Sequence, residues 1–105
     1  MELQEIITYI ENPDKALDIG LLEDIIDWVT HHIYTLEIEL AEMDFQVDSE
    51  RYRLLEKHGA VNKAEAMLKL TDIYRERKKK ELTLKTLKSY RSNIRKKRDR
   101  MISKY

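Results

Sequence analysis

The sequence has no cysteine, one proline and two glycines among its 105 residues. Without cysteine, the chain can form neither a disulfide framework nor a thiolate site. With so few glycines and prolines, few positions force a helix to end. No apolar run reaches the roughly 18–20 residues that span a bilayer, and residues 1–10 lack the basic start of a secretory signal. We therefore expect a helical, cytoplasmic protein that does not enter a membrane.

The net charge of zero conceals two halves of opposite sign. Residues 1–50 carry fourteen acidic side chains and one basic one, whereas residues 51–105 carry six acidic and nineteen basic ones. Such a division favours an acidic helix that lies along a basic helix.

Apolar residues at heptad spacing predict a long helix over residues 20–57, after a short helix over 2–11 and a turn over 12–19. The spacing alternates between three and four residues, as in helices that pack as coiled coils. The two interleaved sets are Ile26, Ile33, Leu40, Val47 and Leu54, and Leu22, Val29, Leu36 and Met43.

A second turn is predicted over residues 58–62. Gly59 suits the left-handed position after a helix, and Asn62 with Glu65 has the spacing of a capping box. The next helix is then expected over 63–103. The two long helices would be antiparallel, with the acids of residues 37–44 opposite Lys78–Lys80.

The expected fold is therefore all-α, as one domain over residues 1–105. A short N-terminal helix precedes a long antiparallel hairpin that resembles a coiled coil and pairs with a second copy into a helical bundle. This prediction depends on the two turns and on the heptad spacing of the apolar residues.

The long helix has more apolar surface than one packed face requires. Ile38, Phe45 and Tyr52 are seven residues apart on the other side, and Trp28 lies on a flank. An exposed apolar stripe of this length is typical of an interface, so these four residues are the predicted contacts of a homodimer. Two alternatives are open: the first helix and the folded-back C-terminus cover the stripe, or a different protein does.

A second candidate surface is the basic end of the chain. Residues 75–105 contain fourteen basic and three acidic side chains, a density that suits phosphate binding. The alternative is a solvated face that is partly paired with the acidic half. Conversely, the acidic half could imitate a phosphate backbone for a basic partner. The predicted nucleic-acid contacts are Lys88, Arg91, Arg95, Lys96, Lys97, Arg98 and Arg100.

No motif indicates catalysis. Two glycines cannot build a phosphate-binding loop, and no particular pair of carboxylates is marked for acid–base work. Asp24, Asp27 and His31 share a helix face, but no second group of ligands accompanies them, so a solvated face is expected. We expect no enzyme activity, no cofactor, no metal and no small-molecule substrate.

A glycine turn, a Lys-Ala-Glu triplet and a downstream tyrosine occur in the second half, as Gly59, Lys63–Glu65 and Tyr74. This pattern resembles the small helical-hairpin proteins of bacteriophages and prophages, which are often encoded beside recombination or replication genes. The resemblance implies a phage-type protein that is located in the bacterial host cytoplasm and is associated with proteins of DNA metabolism. It assigns no site.

The expected function is that of a self-associating interaction protein without enzyme activity. It would bind a protein partner in DNA metabolism or in the inhibition of host defence. The alternative is an accessory protein of recombination or replication that binds nucleic acid through its basic C-terminal helix.

Overall fold

The computed structural model describes residues 19–103, which form three helices and no strand. Helix α1 spans Ile19–His58, α2 spans Val61–Leu68 and α3 spans Asp72–Ser103. The all-α prediction is confirmed. The predicted helix over residues 2–11, and all but the last residue of the predicted turn over 12–19, lie outside the described residues.

The chain divides into two compact units. The central unit spans Thr35–Leu84, and the terminal unit combines the residues up to Tyr34 with those from Lys85 onward. The expectation of a single domain over residues 1–105 remains a prediction.

Helix α1 buries the heptad positions that the sequence pattern predicts. Of the two interleaved sets, only Leu36 is half-buried rather than buried. The terminal unit adds Ile25 from α1, and Leu87 and Ile94 from α3, to its buried apolar side chains. A repeat of 3.5 residues keeps these side chains on one side of the helix, which explains why the pattern predicts burial correctly.

The end of α1 is also as predicted. Gly59 has φ +67°, and its N–H donates a 2.8 Å hydrogen bond to the carbonyl oxygen of Leu55. This left-handed ending satisfies a carbonyl that the helix would otherwise leave unpaired.

The predicted capping box is wrong. Helix α2 begins at Val61, two residues before the predicted start, and the capping position is Ala60, which makes no side-chain capping bond. Asn62 lies inside the helix. The carboxylate of Glu65 does not reach back to the helix start, because it accepts a 2.6 Å hydrogen bond from Arg51 Nε.

The predicted continuous helix over residues 63–103 is also wrong, because a turn at residues 69–71 divides it into α2 and α3. The N–H groups of Leu70 and Thr71 bond to carbonyls three residues earlier, at 3.1 and 3.0 Å, so the chain tightens there. Thr71 then caps α3, since its Oγ1 accepts the N–H of Tyr74 at 3.4 Å. The run Arg75–Glu81, which has no apolar residue, is helical throughout.

The turn gives the central unit a core from all three helices. Val47 and Leu54 of α1 pack with Ala64 and Leu68 of α2, and Ile73 and Tyr74 of α3 pack against this cluster. Among residues 19–103, no helix is both long and apolar enough to cross a bilayer.

Candidate functional site

Three large apolar side chains of α1 in the central unit are mostly exposed to solvent. Ile38 is 63% exposed, Phe45 is 77% exposed and Tyr52 is 71% exposed. Each lies two residues before a buried side chain of the core, and two residues correspond to about 200° around a helix. We call Ile38, Phe45 and Tyr52 the outer stripe, because they occupy the side of α1 that is opposite its buried face.

Trp28, the fourth predicted interface residue, has a different environment. It belongs to the terminal unit and is half-buried, with its ring centroid 4.0 Å from that of His32. Its indole ring therefore already has an aromatic neighbour within the chain. The structure does not place Trp28 among the exposed large apolar side chains.

Two open grooves of about 410 Å³ each lie in the central unit, and one of them is lined by a residue of the outer stripe. The first is lined by Tyr52 and Leu55 together with Asp48 and Arg51. The second shares Asp48 and Arg51 and is lined also by Asp44, Val47, Tyr74 and Arg77. Both are open to solvent, and their walls mix apolar and charged groups.

Ion pairs determine the polar walls of these grooves. Arg51 Nη1 lies 2.6 Å from Asp48 Oδ1, in addition to its bond to Glu65. Arg77 Nε lies 2.5 Å from Asp44 Oδ1, and this hydrogen bond raises the pKa of Arg77 above its ordinary value. Each guanidinium thus holds two carboxylates, since Arg77 Nη1 also bonds to Glu81 at 2.9 Å.

The predicted pairing of acids on α1 with lysines on α3 is found in part. Lys80 Nζ lies 2.6 Å from Glu39 Oε2, as predicted. Lys78 instead lies 3.9 Å from Glu81 of its own helix. The sequence pattern does not single out Arg51 and Arg77. Arg77 belongs to the polar run that was expected to face residues 37–44, whereas the Arg51–Glu65 contact depends on the short helix α2.

The predicted nucleic-acid contacts all lie on α3 in the terminal unit. Arg91 Nη1 donates a hydrogen bond to Thr30 Oγ1 at 3.4 Å, and Arg98 lies 3.3 Å from Asp99. Lys97 is half-buried, and Lys88 is exposed and has an interaction of its own. Arg95, Lys96 and Arg100 are exposed and form no ion pair within residues 19–103.

Across residues 19–103, no three His, Asp or Glu side chains come close enough together to hold a metal ion. Asp24, Asp27 and His31 therefore do not form a ligand set.

Comparisons of the chain with protein-family models, with curated proteins and with solved structures find no match.

Proposed function

We propose that this protein is a non-enzymatic interaction protein that self-associates through the outer stripe of α1. The observation that carries the proposal is the exposure of Ile38, Phe45 and Tyr52 at intervals of seven residues. Burying a large apolar side chain stabilises an association by about 1.5–3 kcal/mol relative to leaving it in water. In a dimer these side chains would leave water on both copies, and this burial would oppose the loss of translational and rotational freedom on association.

We also propose that α1 and α3 form an antiparallel hairpin of the coiled-coil type, which presents the outer stripe as a rigid surface. The order of the ion pairs in the central unit supports this arrangement. Lys80 bonds to Glu39, and Arg77, earlier on α3, bonds to Asp44, later on α1. Two hairpins that pair through α1 would form a helical bundle.

The test of self-association is the molar mass in solution. Sedimentation equilibrium at micromolar concentration is expected to return a mass well above the 12.7 kDa of one chain. Phe45→Glu should shift the protein toward the monomer, because it introduces a charge into the interface. Gln46→Glu is the matched control, since it adds the same charge at the next exposed position, about 100° around the helix.

Two results would contradict the proposal. One is a wild-type protein that sediments as a 12.7 kDa monomer at these concentrations. The other is a Phe45→Glu variant that associates as tightly as the Gln46→Glu control.

The class of heterologous partner follows from the resemblance carried by Gly59, Lys63–Glu65 and Tyr74. We propose a phage-type protein of the bacterial host cytoplasm that binds a protein of DNA metabolism or of host defence. Affinity capture from bacterial lysate, with Phe45→Glu as the comparison, would identify a partner that depends on the outer stripe. If the wild-type protein and Phe45→Glu capture the same partner equally, that partner does not bind through the outer stripe.

A second candidate function is favoured by the exposed cations of α3. Arg95, Lys96 and Arg100 have no ion pair among the described residues, and Asp99 is the one carboxylate after Glu81 in the sequence. An accessory protein that binds nucleic acid through this helix would lose affinity steeply as salt concentration rises, because bound phosphates release counterions.

Titration with single- and double-stranded DNA at several salt concentrations tests this second function. Neutralising Arg95 and Lys96 together should reduce the slope of log affinity against log salt by about 2. Lys63→Gln, an exposed lysine of the central unit, should leave the slope unchanged. No binding at low salt, or a slope unaffected by the double variant, would exclude α3 as the binding surface.

A further inference from the structure

The outer stripe belongs to a second heptad pattern on α1, separate from the one that forms the core. Ala41, Asp48 and Leu55 follow the three stripe residues by three positions each, so that apolar or small residues alternate at intervals of three and four. This is the spacing by which one helix packs along another. We call these six residues of the central unit the outer seam: Ile38, Ala41, Phe45, Asp48, Tyr52 and Leu55.

The side chains of the outer seam are available to a partner. Ala41 and Asp48 are exposed like the stripe residues, while Leu55 is half-buried because one side of it packs against the core. The seam is apolar except for Asp48, whose carboxylate bonds to Arg51 on the flank. A line of this length and spacing matches another helix better than it matches a loop or a small molecule.

We infer that the occupant of the outer seam is α1 of a second copy, lying antiparallel, an inference that rests on the proposed self-association. In that register the seam is complementary to itself. Ile38 lies against Leu55 of the other copy, Ala41 against Tyr52, and Phe45 against Asp48. Each contact occurs twice, as a two-fold axis requires.

Side-chain size supports this register. The smallest residue of the seam, Ala41, faces the large ring of Tyr52, so each of these layers combines a small side chain with a large one. In a parallel pair, Ala41 would face Ala41 and Tyr52 would face Tyr52. The first layer would leave a gap and the second would be overcrowded, and close-packed protein interiors tolerate neither.

Charge supports the antiparallel direction as well. A parallel pair would place Asp48 against Asp48 and bring Glu37 beside Glu42 of the other copy, and like charges at these positions repel. In the antiparallel pair the flanking residues meet differently. Glu42 lies beside Ser49, and Asp44 lies beside Arg51 of the second copy, which joins opposite charges.

Cysteine cross-linking tests the direction and the register directly, because the chain has no cysteine of its own. Two single variants are made, Ile38→Cys and Leu55→Cys, and are oxidised separately and as a mixture. A disulfide needs Cα atoms within about 7 Å of each other. In the antiparallel pair the two copies of residue 38 lie roughly 25 Å apart along the helices, since a helix rises about 1.5 Å per residue.

The expected result is a covalent dimer in the mixture and none in either variant alone. Ala41→Cys mixed with Tyr52→Cys should behave in the same way, which provides a second pair if Leu55→Cys disturbs the core. Lys79→Cys, at an exposed position of α3, is the matched control and should not cross-link to Ile38→Cys.

Other outcomes would contradict the antiparallel register, and each can be told apart from a failure of self-association itself. Cross-linking of Ile38→Cys with itself indicates a parallel pair. Cross-linking of Ile38→Cys to Lys79→Cys indicates that α3 of the second copy covers the seam. A protein that sediments as a dimer but yields no cross-link with either pair associates through another surface. A monomer in sedimentation contradicts self-association itself.

Discussion

At the residue scale, Leu68 and Leu70 show how strongly the local backbone controls burial. The two leucines are two positions apart, yet Leu68 is 0% exposed and Leu70 is 62% exposed. Leu68 is the last residue of α2 and packs with Val47 and Leu54, whereas Leu70 lies in the turn that follows. Their environments therefore differ because the helix ends between them.

Leu68→Ala should lower the free energy of unfolding by about 2–5 kcal/mol, because it removes buried methyl groups and leaves a cavity among the core side chains. Urea unfolding followed by circular dichroism measures this change. Leu70→Ala is the matched control and should alter the free energy of unfolding by less than about 0.5 kcal/mol. Equal effects of the two substitutions would contradict the described core.

A second residue-scale prediction concerns Glu50, which forms a hydrogen-bonded ion pair with Arg53 one turn further along α1. This hydrogen bond lowers the pKa of the Glu50 carboxyl below its ordinary value. The pair consequently favours the helix at pH values above the ordinary carboxyl pKa, and this contribution is lost as the pH falls through the lowered pKa. Arg53→Gln should raise the pKa of Glu50, as measured by NMR titration of its side chain; an unchanged titration midpoint would exclude the pair in solution.

At the element scale, the division between α2 and α3 is the feature that the sequence pattern predicted incorrectly. Asn62 and Glu65 have the spacing of a capping box, yet Ala60 occupies the capping position and the carboxylate of Glu65 bonds to Arg51. The actual signal for a helix start is Thr71 followed by Asp72, a cap and an acid in the first turn. Apolar residues continue on both sides of that turn, and their continuity favoured one long helix.

Thr71→Ala should destabilise the protein by about 1 kcal/mol, because it removes the hydroxyl that caps α3. Thr71 Oγ1 accepts the N–H of Tyr74 and also donates to the carbonyl of Leu68 at 2.6 Å, so it holds both sides of the turn. Thr71→Ser retains the hydroxyl and should preserve most of the stability in urea unfolding. An alanine variant as stable as the serine variant would show that the cap is not formed.

At the scale of the whole molecule, the proposed self-association through the outer stripe predicts that stability depends on protein concentration. A dimer is stabilised by mass action, so its unfolding temperature rises with protein concentration. We expect the wild-type unfolding midpoint to increase between low and high micromolar concentration, and the midpoint of Phe45→Glu to stay constant. Differential scanning calorimetry measures both. A wild-type midpoint that does not depend on concentration would count against an obligate dimer.

The sequence by itself determined the helical class, the buried face of α1, the left-handed end at Gly59 and the position of Ile38, Phe45 and Tyr52 on the side of α1 opposite its buried face. These features depend on local chemistry: a heptad repeat selects one side of a helix, and glycine adopts positive φ without steric cost. Only the tertiary structure decided where α2 ends, that Arg51 bonds to Glu65 and that Arg77 bonds to Asp44. Those contacts join residues far apart in sequence, and their formation depends on how the helices pack, which no local pattern specifies.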